Sequence, residues 1–322
     1  MCHLPFFDYA IKFNQEEKPM TESIKKYFKV GTIHFMSYPQ TMKGEGPIAE
    51  TLMKILCDDY FDAVELTWIK SDEVRSQVKN MLDESGITVC YGAQPRLLTT
   101  GLNPNAAEEA DRAKAEATLM EALDEAEYLG AKGIAFLAGK YDEEKKEHHY
   151  NQLLKTTKNL CKYAATKGMN VEIEVFDYDV DKKSLIGPAP LAARFAAEIR
   201  ECHNNFGLLI DLSHIPQTHE TSRFVIQTLK PYITHLHFGS AVLGDPSMEA
   251  FGDTHPRFNF ANSVNSVNDL ANFLQCLKDE NMFYRKDPMV LSFEVKPWKD
   301  ENPELVLANT KRVLNRAWAL VD

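Results

Sequence analysis

Eight times along the chain a short apolar stretch is followed by a longer amphipathic one, and this alternation constrains the fold more than any other feature. VGTIHFMSYP, FDAVELTWI, ITVCYGAQPR, GIAFLAG, MNVEIEVFD, FGLLIDLSH, YITHLHFGS and PMVLSFEVKP read as strands. The run Leu208–Leu209–Ile210 is continuously apolar, as in strands of parallel sheets buried on both faces. Apolar residues at helical spacing fill the stretches between, among them GPIAETLMKILCDDY, DEVRSQVKNMLDES and the segments Pro190–Cys202, Glu220–Leu229, Val264–Asp279 and Pro303–Val321. With no linker rich in Pro, Gly or Ser, this pattern predicts one α/β domain over residues 29–322. A single (β/α)8 TIM barrel is favoured over a doubly wound open sheet. Residues 1–28 lack a period and are set apart as an N-terminal extension, whose Phe6, Phe7, Tyr9 and Phe13 are suited to clip onto the body or a partner.

Charge and composition exclude several classes. A net charge of −11 without a basic patch argues against a nucleic-acid partner. No apolar run approaches the roughly 20 residues of a membrane span, and the first residues lack a secretory pattern. The 6 cysteines form no C-x-x-C pair, which fits reduced thiols in the cytoplasm better than disulfides or a zinc cluster.

A barrel of this kind carries its active site at the C-terminal strand ends. Strand five offers Glu172 and Glu174 there, strand six Asp211 and His214, strand seven His235 and His237, and strand eight Glu294 with Lys296. Ionisable groups on buried strands are costly unless paired or bound to a metal. Glu174, Asp211, His237 and Glu294 fall on four consecutive strand ends and are able to converge at the barrel mouth. Three carboxylates and an imidazole suit a hard divalent cation, so one Mn2+ or Mg2+ is expected.

A strand-five Glu, a D-x-x-H on strand six, an H-x-H on strand seven and a strand-eight Glu resemble the xylose isomerase-like TIM-barrel superfamily of sugar isomerases, ketose 3-epimerases and AP-endonuclease-like proteins. The resemblance implies Glu174, Asp211, His237 and Glu294 as metal ligands, with His235 behind His237. It implies substrate contact for His214, for Arg257 in GDTHPRF and for His255 in the same loop. Glu65 closes strand two without the His series that a trinuclear zinc cluster would need, which sets DNA repair aside. EVFDYDVDKK departs from the ketose 3-epimerase pattern after the strand-five Glu. Within the superfamily GTIHFMSYP, YGAQPRLLTTGLN and GDTHPRFNF resemble the alpha subunits of C-glycoside deglycosidases. That implies cleavage of 3-oxo-C-glucosides, a separate small β-rich beta subunit, and a place for Gln94 among the substrate contacts.

These readings share one step, removal of a proton next to a carbonyl with the enediolate charge held by a divalent metal. For isomerisation or epimerisation, Glu174 and Glu294 would serve as acid and base. Carbon–carbon cleavage calls for a further base. His149 and His148, just past strand four, are the candidates, with His34 at the end of strand one as another base or a residue of the substrate wall. A barrel without catalysis, serving only to bind a ligand, would be expected to have lost a metal ligand, and none is lost.

Overall fold

The computed structural model describes residues 20–284 and 286–322. Eight strands line the molecule's axis: β1 (Phe28–Ile33), β2 (Ala63–Leu66), β3 (Thr88–Tyr91), β4 (Gly133–Leu137), β5 (Asn170–Glu174), β6 (Phe206–Asp211), β7 (Ile233–Gly239) and β8 (Met289–Glu294). All pairings are parallel, in the order β3-β2-β1-β8-β7-β6-β5-β4. A bridge between Gly92 and Ala135, with the Ala93 N–H on the Ala135 carbonyl at 2.7 Å, joins β3 to β4 and nearly closes the sheet. The fold is a (β/α)8 TIM barrel. Every residue of β2 and of β6 is buried, which is why β6 carries the continuous apolar run Leu208–Leu209–Ile210 rather than an alternating pattern.

The helices follow in chain order: α1 (His34–Ser37), α2 (Ile48–Leu56), α3 (Asp72–Ser85), α4 (Gln94–Leu98), α5 (Glu109–Leu129), α6 (Lys146–Ala165), α7 (Ala189–Arg200), α8 (Ser222–Leu229), α9 (Val267–Asp279) and α10 (Pro303–Trp318). Their starts are marked by local chemistry. Ser71 caps α3, Ser266 and Asp269 form a capping box on α9, and Asn302 caps α10 ahead of Pro303.

Two strand-like sequences end earlier than their patterns predict. The first stops at Ile33, and His34–Ser37 close one helical turn with the Tyr38 N–H on the His34 carbonyl at 2.8 Å. The third stops at Tyr91, and α4 begins at Gln94 with Pro95 in its first turn, where a missing N–H is harmless. Past Ile33, and past the Ala93 N–H on Ala135, turn hydrogen bonds such as Tyr38 N–H on His34 and Arg96 N–H on Ala93 take over the backbone groups. Both turns lie at the C-terminal rim and bring Phe35, Met36 and Gln94 to the mouth.

The expected N-terminal extension, with Phe6, Phe7, Tyr9 and Phe13, lies largely outside the described residues. Of its remainder, Ile24 and Tyr27 are buried, and Tyr27 packs on Phe283 and Trp318 at ring separations of 5.3 and 5.8 Å. Among the described residues no helix is long and apolar enough to cross a membrane. Their cysteines, Cys57, Cys90, Cys161, Cys202 and Cys276, are all free thiols.

Candidate metal centre

Side chains on a strand alternate between faces, so Glu172 with Glu174, and His235 with His237, project on the same side of their strands. Glu174 ends β5, Asp211 ends β6 and Glu294 ends β8. In the ladder Glu174 stands opposite Leu209, Asp211 opposite His237, and Glu294 opposite Gly239. This stagger is the tilt of the barrel, and it carries all four residues to one level at the mouth. Gly239 leaves room for the crowding there. A Cβ on it would strike the Glu294 carbonyl oxygen and come within 3.2 Å of His255 Nδ1.

His237 is the centre of the cluster. Its Nδ1 lies 2.7 Å from Glu294 Oε2 and 3.7 Å from Glu174 Oε1, so Glu174, His237 and Glu294 could share one cation. Asp211 forms a second group with His214 and His255. Its Oδ2 is 3.6 Å from His214 Nε2 and 3.7 Å from His255 Nδ1, and it also accepts the Ser213 hydroxyl. The two groups interlock, because His214 Nδ1 is 3.7 Å from Glu174 Oε1 and His255 Nε2 is 3.5 Å from Glu294 Oε1.

Charge in this cluster is unevenly balanced. Burial opposes the charged imidazole of His214, yet the carboxylates of Asp253, Asp211 and Glu174 hold its pKa well above the usual range. Against the same burial, Glu65 and Glu294 raise His237, and Glu294 and Asp253 raise His255 to about 9. Burial pushes the Glu294 carboxyl up, reinforced by nearby Glu174 and opposed by His255 and His237.

One atom tests whether a cation belongs here. Glu174 Oε2 accepts Gln94 Nε2 at 2.8 Å, but its Oε1 is buried with no hydrogen-bond partner among the described residues. An orphaned buried carboxylate oxygen is costly unless a positive group meets it. Oxygen-rich donors with one imidazole nitrogen fit a divalent ion of the magnesium or manganese type.

Above this cluster is a cavity of about 190 Å³. Gln94, Glu174, His237, His255 and Glu294 are on its polar side, while Phe35, Met36, Met42, Leu98 and Phe176 make an apolar side. The family described as xylose isomerase-like TIM barrel matches the sequence over residues 58–315. The chain belongs to the xylose isomerase-like TIM barrel family.

Solved barrels of similar shape include sugar epimerases. D-psicose 3-epimerase from Clostridium cellulolyticum H10 superposes with a TM-score of 0.66 at 18% identity, over 92% of this chain and 100% of that one. D-allulose 3-epimerase from a Methylomonas species gives 0.66 at 17% identity, over 90% and 98%. The 3-keto-D-glucoside 4-epimerase from E. coli gives 0.63 at 14% identity, over 89% and 99%. At these identities the likeness is one of fold. No curated protein matches the chain in sequence.

Within this family barrel the residues singled out from sequence separate into two sets. Glu174, Asp211, His214, His237, His255, Glu294 and Gln94 come together at the mouth. His255 does so from a left-handed backbone conformation, φ +50°. His214 lies just behind the cavity, its ring 4.2 Å from that of Phe176 and its Nδ1 2.9 Å from the Val175 carbonyl.

The second set does not line the cavity. His34 is buried with Nε2 on the Thr51 hydroxyl at 2.8 Å. The imidazoles of His148 and His149 meet the carbonyls of Ala107 (3.0 Å) and Asn105 (2.7 Å), holding the loop before α5. Arg257 pairs with Glu301 at 2.8 Å, donates to the Asn259 carbonyl at 3.0 Å and lies over the Phe260 ring.

Three site residues were not singled out from sequence as part of the site. Glu65 accepts from His235 Nε2 at 2.9 Å and from His237 Nε2 at 3.0 Å. Asp253 meets His214 Nε2 at 3.0 Å, His255 Nε2 at 2.7 Å and Lys182 Nζ at 2.8 Å. Lys182 is carried by a loop whose backbone N–H groups, from Val180 to Lys183, converge on the buried Asp177 carboxylate. A usable signal for Glu65 was its inward register in AVEL, and for Asp253 its place two residues before His255. Lys182 had none.

Proposed function

We propose that this chain is a divalent-metal-dependent sugar isomerase or epimerase that moves a proton at the carbon next to a carbonyl. The observation that carries the reading is the pair of carboxylates, Glu174 and Glu294, facing the same His237 Nδ1 on the cavity floor. The similarity in fold to sugar epimerases supports it.

Glu174, Asp211, His237 and Glu294 would hold the ion. A bound divalent cation would supply Lewis acidity, polarising the substrate carbonyl and stabilising charge on its oxygen. The chain's own groups do the rest. Gln94 holds Glu174 by Oε2, which fixes the carboxylate with Oε1 turned to the Nδ1 atoms of His237 and His214. One of the two glutamates takes the proton from carbon, and the other returns it from the opposite side, general acid–base work typically worth about 10²–10⁴-fold. Phe35, Met36, Leu98 and Phe176 shield that transfer from water. Lys296, at the cavity rim past Glu294, is placed to meet a substrate oxygen.

A second reading, cleavage of a 3-oxo-C-glucoside, draws support from the apolar side of the cavity, where Met36, Met42 and Leu98 offer room for an aglycone. It calls for a base beyond the two glutamates. His148 and His149 are turned to backbone carbonyls instead, so epimerisation or isomerisation stands first.

The test is solvent exchange. The protein is incubated in D2O with Mn2+ and a panel of ketohexoses and 3-keto-glucosides, then followed by NMR. Metal-dependent deuterium entry beside the carbonyl is expected for at least one sugar. Absence of exchange across the panel overturns the proposal, and release of aglycone from a 3-oxo-C-glucoside moves the assignment to the second reading.

A further inference from the structure

Below the candidate centre a line of polar side chains runs down the barrel axis. His237 Nε2 donates to Glu65 Oε1 at 3.0 Å, and the same oxygen accepts His235 Nε2 at 2.9 Å. His235 Nδ1 donates to Glu172 Oε2 at 3.1 Å, and Glu172 Oε1 accepts the Thr234 hydroxyl at 2.6 Å. Glu65 is 1% exposed, so its charge is held by these imidazoles rather than by water. The two residues it joins to are 170 and 172 positions away in sequence.

An imidazole binds a cation through one nitrogen only when that nitrogen is free of its proton, and the hydrogen bond made by the other nitrogen decides which one that is. His237 presents Nδ1 to Glu174 and Glu294, while Nε2 is taken by Glu65. We propose that Glu65 is the positioning residue of the metal centre. It keeps the His237 proton on Nε2 and the ring fixed, so that Nδ1 is the metal-binding nitrogen, and His235 and Glu172 hold Glu65 in place. This inference rests on the metal reading above and adds to it a determinant of affinity that acts through His237.

The experiment measures Mn2+ affinity of the purified full chain by EPR, for wild type, Glu65→Gln and Glu65→Asp. Glu65→Gln keeps the volume but replaces one acceptor oxygen by a donor, and is expected to weaken Mn2+ binding by at least tenfold, the range found for partners of metal-bound histidines. In the Mg2+-loaded wild type, nitrogen-15 NMR should show a protected Nε2–H on His237, and Glu65→Gln should lose it. If Glu65→Gln fails to fold, Glu65→Asp retains the charge but draws it back by one methylene, and several-fold weaker binding is expected.

Unchanged affinity in a folded variant overturns the inference. So does complete loss of binding in His235→Gln, which would put the ion on the Nε2 side, among Glu65, His235 and His237. A wild type that binds no divalent ion refutes the metal reading itself, an outcome distinct from both.

Discussion

Gln94 Nε2 donates to Glu174 Oε2 at 2.8 Å, tying the first residue of α4 to the last residue of β5 across 80 positions of sequence. The bond fixes which oxygen of Glu174 remains for chemistry. A hydrogen bond to a charged group is worth about 1.5–3 kcal/mol, so Gln94→Leu should lower kcat/KM by roughly 10–150-fold. Steady-state kinetics on the sugar that shows exchange, with Tm as a check on folding, measures this. A loss below threefold would show that Glu174 is oriented by other means.

Removing a ligand should remove the ion. Glu294→Gln and Asp211→Asn are each expected to cut metal content sharply, and a chelator should abolish deuterium exchange by the wild type. Metal analysis of the dialysed variants checks it, and full stoichiometry in either one dismisses that residue as a ligand.

Lys296 and Arg257 make a paired comparison. Lys296 lines the cavity, so Lys296→Ala should raise KM with metal content unchanged. Arg257 is partly exposed and engaged by Glu301, a pair of the kind worth about 0–1 kcal/mol. Arg257→Ala should therefore leave kcat/KM within about fivefold of wild type. The reverse ranking would place Arg257 in the substrate site.

His34 predicts an acid sensitivity. Burial lowers its pKa from 6.5 to about 3, so the folded protein holds it neutral while the unfolded chain takes up a proton. Its contribution to stability is fully present above pH 6.5 and is lost as pH falls toward 3. Between pH 7 and pH 5 the loss from this one group is about 2 kcal/mol. His34→Gln, which still reaches Thr51, should flatten that part of the stability–pH curve in urea unfolding. An unchanged slope would mean that His34 is protonated in the fold.

Much of the site was legible because it stands on strands. The two-residue period of a strand and the position of its last residue place Glu174, Asp211 and Glu294 at the mouth once a barrel is inferred, and H-x-H puts His235 and His237 on one face. Gln94 and His255 stand on short rim segments, and their phrases drew attention to them. His148 and His149 begin a helix, where the direction of a ring depends on what the neighbouring loop offers, here the carbonyls of Asn105 and Ala107.

The sequence by itself determined the eight strands and helices, their parallel closure into a barrel, and the carboxylates and imidazoles that reach its rim, since local periodicity and helix caps encode all of these within a few residues. Tertiary structure alone decided that Glu65 joins His235 to His237, that Asp253 joins His214 to Lys182, and that Arg257 turns to Glu301 and away from the cavity. Each of these is a contact between residues from separate elements or loops, made only when the barrel brings distant strand ends within hydrogen-bond range, so no local pattern carries it.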